Sequence, residues 1–261
     1  MRNVICCELI LNDNIYENIF RMDFSWNGPA PRAGQFFMVK PKRSGVFLGR
    51  PMSIAGWQPG SVTFLSARRG KGTQELGDMR IGEEAELIGP QGNAWKDMLP
   101  EAGNGGEAVA LVGGGIGIAP LIALLCEDST GKFDLYAGFR KGFGNMDEQC
   151  ALLGPAVFQA RKIFIATEDG RTGSKGRIPD FLEPEKYAAI CACGPEPMMK
   201  TVAALCRSPK AAGVPCFVSL ERRMACGIGA CLGCTVGTAS GNRRCCAEGP
   251  IFRADEVFFD D

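Results

Sequence analysis

The spacing of the cysteines near the end of the chain constrains its fold more than any other feature. Cys226, Cys231 and Cys234 follow the pattern Cys-x4-Cys-x2-Cys, and a pair, Cys245 and Cys246, begins eleven residues later. This spacing with a distant fourth cysteine is typical of the ligands of a 2Fe-2S cluster. Four thiolates must converge on two irons, which forces the intervening chain into a tight loop. The sequence therefore predicts an electron-transfer centre in this segment.

The glycines between these cysteines fit such a loop. Gly227, Gly229 and Gly233 permit positive φ angles and let backbone amides approach sulfur closely. A structural zinc site is the alternative. Zinc ligands usually occur as two Cys-x2-Cys pairs, whereas here only Cys231 and Cys234 are spaced in that way. The spacing favours the iron-sulfur interpretation.

The fourth ligand is one of two neighbours. If Cys245 and Cys246 lie on an extended segment, their side chains point to opposite sides, so only one of them can face the cluster. The chemistry of the residues leaves the choice open.

Composition excludes several classes of function. The 261 residues contain 29 Lys plus Arg and 29 Asp plus Glu, so the basic excess expected of a nucleic-acid binder is missing. Histidine is absent, which rules out a Rieske cluster and Ser-His or Cys-His nucleophiles. We assign no catalytic side chain, because bound cofactors can carry electron transfer without one.

The beginning of the chain predicts no membrane segment. Its apolar run is short and is interrupted by Glu8, which fits neither a signal peptide nor a membrane span. We expect a cytoplasmic protein whose thirteen cysteines stay largely reduced.

The first hundred residues predict an antiparallel barrel. Short apolar runs at 34–40, 51–56, 61–67 and 84–89 are separated by Gly and Pro, a pattern typical of all-β domains. We predict six strands. The polar, glycine-rich stretch 100–107 is the candidate linker.

The pattern then changes to that of an α/β domain. Continuous apolar runs are typical of buried parallel strands, and helix-length segments at 119–128 and 195–207 lie between or after them. The sequence predicts a Rossmann-like, doubly wound sheet. The runs occupy residues 108–113, 132–138, 161–167 and 188–194.

Two turns at this sheet are candidates for binding a nucleotide. A glycine-rich turn follows the first parallel run, where backbone amides and a helix N-terminus suit a pyrophosphate. A Gly-Pro turn follows the last run. Each taken alone also fits an ordinary strand-to-helix turn. The candidate residues are Gly113, Gly114, Gly115, Gly117 and Pro120 in the first turn, and Cys193, Gly194 and Pro195 in the second.

The barrel carries groups that suit a diphosphate. Residues 50–53, Arg-Pro-Met-Ser, combine a fixed cation with a small hydroxyl, and residues 69–73 offer amides, a hydroxyl and positive charge. Each is short enough that a solvated surface turn is the alternative.

Taken in order, these motifs resemble those of the ferredoxin-NADP reductase superfamily. The tail, with Ser219 to Cys231 followed by Cys246-Ala-Glu-Gly-Pro-Ile-Phe252, resembles the electron-transfer subunits of type B dihydroorotate dehydrogenases. The resemblance spans nearly the whole chain and implies three segments. They are an FAD-binding β-barrel at 1–102, an NAD-binding α/β domain at 107–212 and a 2Fe-2S module at 215–261.

The resemblance also implies site residues. It selects Cys246 as the fourth ligand, beside Cys226, Cys231 and Cys234. In the barrel, Ser66 and Ala67 stand where family members commonly carry Tyr-Arg, and Arg68 or Arg69 is the candidate to compensate. The implied FAD contacts are Arg50, Pro51, Met52, Ser53, Leu65, Ser66, Ala67, Gly72 and Thr73. To the NAD contacts in the two turns the resemblance adds Glu168, Asp169 and Gly170.

The implied function is electron transfer in pyrimidine biosynthesis. An FMN-containing dihydroorotate dehydrogenase subunit would oxidise dihydroorotate, and electrons would pass singly through the 2Fe-2S cluster to FAD and as hydride to NAD. The expected assembly is a heterotetramer with two copies of each chain. The alternatives are an NADH-dependent diaphorase subunit of a hydrogenase, sulfide dehydrogenase or transhydrogenase, and a non-catalytic docking module with a zinc-stabilised tail.

Overall fold

The computed structural model describes residues 4–99, 108–128, 130–154, 158–211 and 213–259. Its strands are β1 (Val4–Tyr16), β2 (Ile19–Trp26), β3 (Phe36–Pro41), β4 (Arg50–Gln58), β5 (Gly60–Ala67), β6 (Glu84–Gln91), β7 (Val109–Gly114), β8 (Phe133–Phe139), β9 (Lys162–Thr167), β10 (Ser174–Lys175), β11 (Ala189–Cys193), β12 (Cys216–Ser219), β13 (Thr235–Thr238), β14 (Gly241–Arg244) and β15 (Ile251–Arg253). Its helices are α1 (Lys71–Gly77), α2 (Trp95–Met98), α3 (Ala119–Glu127), α4 (Met146–Leu153), α5 (Glu196–Cys206) and α6 (Cys245–Glu248).

The predicted six-stranded barrel is confirmed. Strands β1 to β6 close a barrel in the order β1-β2-β5-β4-β3-β6, and every neighbouring pair is antiparallel. Alternation along the strands turns large side chains inward. Phe37 packs edge-on against Trp26 and Phe64, with ring centroids 4.9 and 5.6 Å away. The aromatic core leaves the ends of β4 and β5 free to line a cleft.

The predicted parallel sheet is also confirmed. Strands β9, β8, β7 and β11 are adjacent and parallel, and every residue of β7 and β11 is buried. Strand β7 runs through a 3-10 turn, Gly115–Ile118, into α3, which has Pro120 in its first turn. Proline is well suited to that position because its missing N–H would have no partner there.

The sheet continues into the cysteine-rich segment, which begins with β12 at Cys216. Strand β12 is parallel to β11, with Ser219 beside Cys193, and β15 returns antiparallel to β12. Residues assigned to the predicted module at 215–261 thus extend the sheet of the predicted domain at 107–212. The three-segment division stays a prediction, and the linker at 100–107 and the boundaries at 102, 107 and 212 lie outside the described residues.

Specific contacts join the three parts of the chain. The hydroxyl of Tyr16 in the barrel donates to the carbonyl of Lys141 beyond β8 at 2.6 Å. Asn93, after β6, donates through Nδ2 to the carbonyl of Ile251 at 2.8 Å and accepts from the amide of Ile251 at 3.0 Å. These bonds fix the barrel against both the sheet and the cysteine-rich segment. Among the helices of the described ranges, none has the length and apolarity needed to cross a membrane.

Replacing Asp134 by asparagine is expected to lower the free energy of unfolding by about 2 kcal/mol at neutral pH. Asp134 is buried and accepts from Nε and Nη2 of Arg161, both at 2.7 Å, and from the hydroxyl of Tyr187 at 3.0 Å. Burial opposes its charge, but the hydrogen bonds from Arg161 and Tyr187 and the positive charges of Arg161 and Lys162 together outweigh burial and hold the pKa of Asp134 below its usual value. Urea unfolding of both proteins measures the difference.

The pH dependence of that difference has a definite sign. Because the folded-state pKa of Asp134 is lowered, its stabilising contribution is present above the ordinary carboxyl pKa and is lost as the pH falls through the lowered value. The two proteins should therefore converge in acid. Equal stability at neutral pH would contradict the prediction.

Candidate cofactor cleft and cysteine loop

One cleft, with a volume of about 650 Å³, lies where the barrel, the parallel sheet and the cysteine-rich segment meet. Its barrel wall includes residues 50–53 of β4, residues 65–67 of β5, and Thr73 of α1. Eight of the nine predicted FAD contacts thus lie at one surface. The ninth, Gly72, lies behind it: a Cβ there would be 2.2 Å from Nε of Arg50. Glycine therefore leaves the space that the guanidinium of Arg50 occupies.

The two arginines that follow β5 have different surroundings. Arg68 forms an ion pair with Asp78 at 2.5 Å and donates to the carbonyl of Gly77 at 2.7 Å, which turns it along α1. Arg69 lines the cleft, and its amide donates to Oγ1 of Thr73 at 2.9 Å. Of the two candidates to compensate for Ser66 and Ala67, Arg69 has the suitable position.

The two predicted nucleotide turns pack directly against each other. A Cβ at Gly117 would lie 2.4 Å from the carbonyl oxygen of Cys193, and one at Gly194 would lie 2.9 Å from the amide nitrogen of Gly114. Gly117, Pro120 and Cys193 line the cleft. Of the other candidates, Gly113, Gly114, Gly115, Gly194 and Pro195 form the turns but are not part of its lining.

Burial raises the pKa of the Cys193 thiol well above its ordinary value. The thiol is 3% exposed and stays protonated, which fits a residue without acid-base chemistry.

The predicted contacts at 168–170 lie outside the cleft lining, in the loop after β9. The carboxylate of Asp169 accepts from the amides of Gly142, at 2.9 Å, and Arg171, at 3.1 Å. The backbone hydrogen bond from Arg171 is the main reason that the pKa of Asp169 is lowered. Gly170 has a φ of 73°. Asp169 ties this loop to the loop after β8, and Glu168 is exposed beside it.

The four predicted cluster ligands occur as two pairs in contact, of which the first is Cys226 with Cys231. The amides of Ile228 and Cys231 donate to Sγ of Cys226, each at 3.4 Å. Burial opposes ionisation of Cys226, but these amides outweigh it and, with the thiol of Cys231, lower its pKa to about 6. The second pair is Cys234 and Cys246. Amide donors stabilise thiolates, so this loop suits a group that binds ionised sulfur.

The second pair is equally well defined. The amide of Gly229 donates to Sγ of Cys246 at 3.1 Å, and the amide of Cys246 donates to Sγ of Cys234 at 3.4 Å. Burial and the hydrogen bond between Cys246 and Cys234 raise the pKa of Cys246 to about 11. Gly229 has a φ of 83°, which only glycine adopts easily. This backbone conformation lets the loop fold over the sulfurs.

Cys245 is turned away from this group of sulfurs. Its Sγ donates to the carbonyl of Leu220 at 3.2 Å, and burial raises its pKa to about 12. The assumption of an extended segment is wrong, because both cysteines lie in α6. Successive side chains on a helix diverge by about 100° rather than 180°, which still separates the two thiols.

The sequence analysis missed the third wall of the cleft. It consists of residues 219–224 and Pro250, and Phe36 and Leu48 of the barrel side were also not identified. The available signal was the apolar run of β12. Its carboxyl end reaches the edge of the sheet where the two nucleotide turns lie, so the residues that follow it must pass the cleft.

Solved structures share this architecture. An NADH-dependent reduced ferredoxin-NADP oxidoreductase superposes with a TM-score of 0.79 at 25% identity, and the match covers 100% of this chain and 92% of that one. A ferredoxin NADP+ reductase from Neisseria gonorrhoeae, solved with bound FAD and NADP, gives a TM-score of 0.62 at 16% identity over 83% of this chain and 99% of its own. The fold and the cleft define a protein of the ferredoxin reductase-like class.

Sequence relatives identify the family within that class. The family model described as the iron-sulfur cluster binding domain of dihydroorotate dehydrogenase B matches residues 221–258. A protein from Clostridium perfringens named dihydroorotate dehydrogenase B (NAD(+)), electron transfer subunit, is 39% identical over 231 residues, 87% of each chain. Its namesake from Clostridium acetobutylicum is 35% identical over 251 residues, 96% of this chain and 94% of its own. The chain belongs to this family of electron transfer subunits, which confirms the resemblance.

Proposed function

We propose that this chain carries electrons between a catalytic subunit that oxidises dihydroorotate and NAD, in the synthesis of pyrimidines. The observation that carries the proposal is that one cleft is bounded by the barrel, by both nucleotide turns and by the segment that leads into the cysteine loop. When bound, FAD would exchange hydride with NAD and single electrons with the 2Fe-2S cluster, which is the chemistry that the chain's own side chains lack.

The residues around the cleft fit a flavin dinucleotide. Arg50, Ser53 and Thr73 would provide a cation and two hydroxyls, and Arg69 adds a second cation. The guanidinium of Arg50 forms no ion pair with any described residue, and donates only to the carbonyl of Gly49 at 3.3 Å. Fixed cations with free donors suit a diphosphate. We assign residues 50–53, residues 65–67, Gly72 and Thr73 to FAD.

The nucleotide turns would bind NAD at the carboxyl edge of the sheet. Gly117 and Pro120 border the cleft, and the glycines before them allow the close backbone approach that a pyrophosphate requires. Cys193 would lie beside the nicotinamide as a neutral, buried thiol. The remaining NAD assignments, at 113–115, 168–170, Gly194 and Pro195, stay predictions.

The two sulfur pairs suit a cluster with two irons. Cys226 with Cys231 would bind one iron and Cys234 with Cys246 the other, since in each pair the backbone amide of one cysteine donates to the sulfur of the other. The amides of residues 228, 229 and 231 that already point at sulfur would remain as donors to the ligand thiolates.

The partner that we propose is an FMN-containing dihydroorotate dehydrogenase subunit, with two copies of each chain in a cytoplasmic complex. The cysteine loop provides a surface for it. Cys231 is exposed, and Ile228 and Leu232 on either side are 47% and 62% exposed. Exposed apolar side chains beside a redox centre fit a docking surface across which electrons pass.

The experiment uses the purified chain with and without the partner. We expect bound FAD, about two irons per chain and reduction of dyes by NADH, with no oxidation of dihydroorotate until the FMN subunit is added. Colourless protein with one equivalent of zinc would support the docking module instead. NADH-dependent dye reduction without dihydroorotate oxidation in the reconstituted complex would favour the diaphorase subunit, a function consistent with the similarity to the ferredoxin-NADP oxidoreductase.

A further inference from the structure

The segment from Leu220 to Ala225 connects the sheet to the cysteine loop, which runs from Cys226 to Cys234. Residues of this segment form a wall of the cleft. Within the described range 213–259 the segment contains no strand or helix. It is fixed at its start, where the amide of Leu220 donates to the carbonyl of Pro250 at 2.9 Å. Near its end Met224 is 8% exposed. Between these two points, Arg222 makes side-chain contacts.

One such contact crosses to the nucleotide side of the cleft. Nη1 of Arg222 lies 3.2 Å from Oε2 of Glu196, and the two side chains are only 17% and 26% exposed. The same nitrogen donates to the carbonyl of Glu221 at 3.2 Å, which fixes the guanidinium relative to its own backbone. A sheltered, hydrogen-bonded ion pair is screened much less than one in solvent.

Glu196 directly follows the nucleotide turn and is not among the residues assigned to NAD. It is the first residue of α5 and follows Cys193-Gly194-Pro195, whose backbone packs against the glycine-rich turn with a Gly117 Cβ position only 2.5 Å from Cα of Gly194. Arg222 lies four residues before Cys226. The ion pair therefore connects a rigid element on the NAD side to an irregular segment that ends at a cluster ligand.

We propose that Glu196 and Arg222 are positioning residues whose ion pair holds the wall at 220–225 against the start of α5 and so places the cysteine loop relative to the cleft. The inference rests on the proposed function. It assigns the pair to the passage of electrons between FAD and the cluster, and not to the binding of NAD.

The test separates those two steps in the chain loaded with FAD and cluster. In Glu196→Gln, stopped-flow absorbance should show flavin reduction by NADH within about twofold of the wild-type rate, with no rise in KM. Reduction of the cluster should be slowed at least about fivefold, which is the lower end of common coupling effects. The visible circular dichroism of the oxidised cluster, which reports the geometry around its sulfurs, should also change.

Three further variants make the test specific. Arg222→Gln removes the same ion pair from the other side and should show the same effects as Glu196→Gln. Arg222→Lys keeps a cation and should reduce the cluster at close to the wild-type rate. The matched control is Asp23→Asn, which breaks a partly exposed ion pair with Arg21 at 2.7 Å on β2 and should leave both steps and the dichroism unchanged.

Two results would overturn the inference. One is cluster reduction and dichroism that are unchanged in Glu196→Gln and Arg222→Gln. The other is equal slowing of flavin and cluster reduction, which indicates general destabilisation. Failure of the proposed function can be told apart from failure of this inference. In that case NADH would not reduce the flavin even in the wild-type chain.

Discussion

Replacing Cys246 by serine is expected to leave the purified chain without its 2Fe-2S cluster, with iron falling from about two atoms per chain to nearly none. Sγ of Cys246 accepts from the amide of Gly229, and the amide of Cys246 donates to Sγ of Cys234, so the substitution removes one of the four proposed ligand sulfurs. Iron and sulfide analysis, with visible absorbance, measures the effect. FAD should remain bound, because Cys246 does not line the cleft.

Cys245→Ser is the matched control, since it makes the same change one residue earlier. Cys245 donates to the carbonyl of Leu220 and points away from the other sulfurs, and a serine hydroxyl can also donate there. The variant should keep its full content of iron and sulfide. Retention of the cluster in Cys246→Ser and its loss in Cys245→Ser would refute the ligand assignment.

The sequence pattern predicted the barrel and the parallel sheet because each of them has a local signature. Alternating strands with Gly and Pro turns indicate a barrel, and continuous apolar runs followed by helices indicate a parallel sheet. Strand β12 has only a very short apolar run, and β15 has no such signature. They contain four and three residues, and a run that short becomes a strand only through pairing with β11 and with each other. Local sequence periodicity does not predict such long-range pairing.

The same limit applies to the site. The spacing predicts a set of ligands, because three of its cysteines, Cys226, Cys231 and Cys234, lie in one local loop. The choice between Cys245 and Cys246 depends on α6 and on the carbonyl of Leu220, 25 residues earlier. The choice between Arg68 and Arg69 depends on Asp78, which pairs with Arg68 and leaves Arg69 at the cleft. Both choices, which the local motifs leave open, therefore depend on contacts with residues distant in sequence.

Replacing Gly117 by alanine is expected to raise the KM for NADH about tenfold or more. The added Cβ would lie 2.4 Å from the carbonyl oxygen of Cys193 and 2.5 Å from Cα of Gly194. Both are backbone atoms that cannot rotate away, so the two nucleotide turns must separate. Overpacking of this kind costs about 1–3 kcal/mol, and each 1.4 kcal/mol lost from binding is about tenfold in affinity. Flavin reduction at increasing NADH concentrations gives the KM.

The control is Gly56→Ala, on β4 of the barrel, where an added Cβ meets no atom within 4 Å. It should leave the KM unchanged. FAD and cluster content should be normal in both variants, because the three atoms nearest to the added Cβ at Gly117 belong to Cys193 and Gly194 and not to β4, β5 or the cysteine loop. An unchanged KM in Gly117→Ala would mean that NADH does not depend on the packing of these turns. If Gly117→Ala lost both FAD and the ability to bind NADH, the two turns would be needed to bind the flavin. Their assignment to NAD alone would then be wrong.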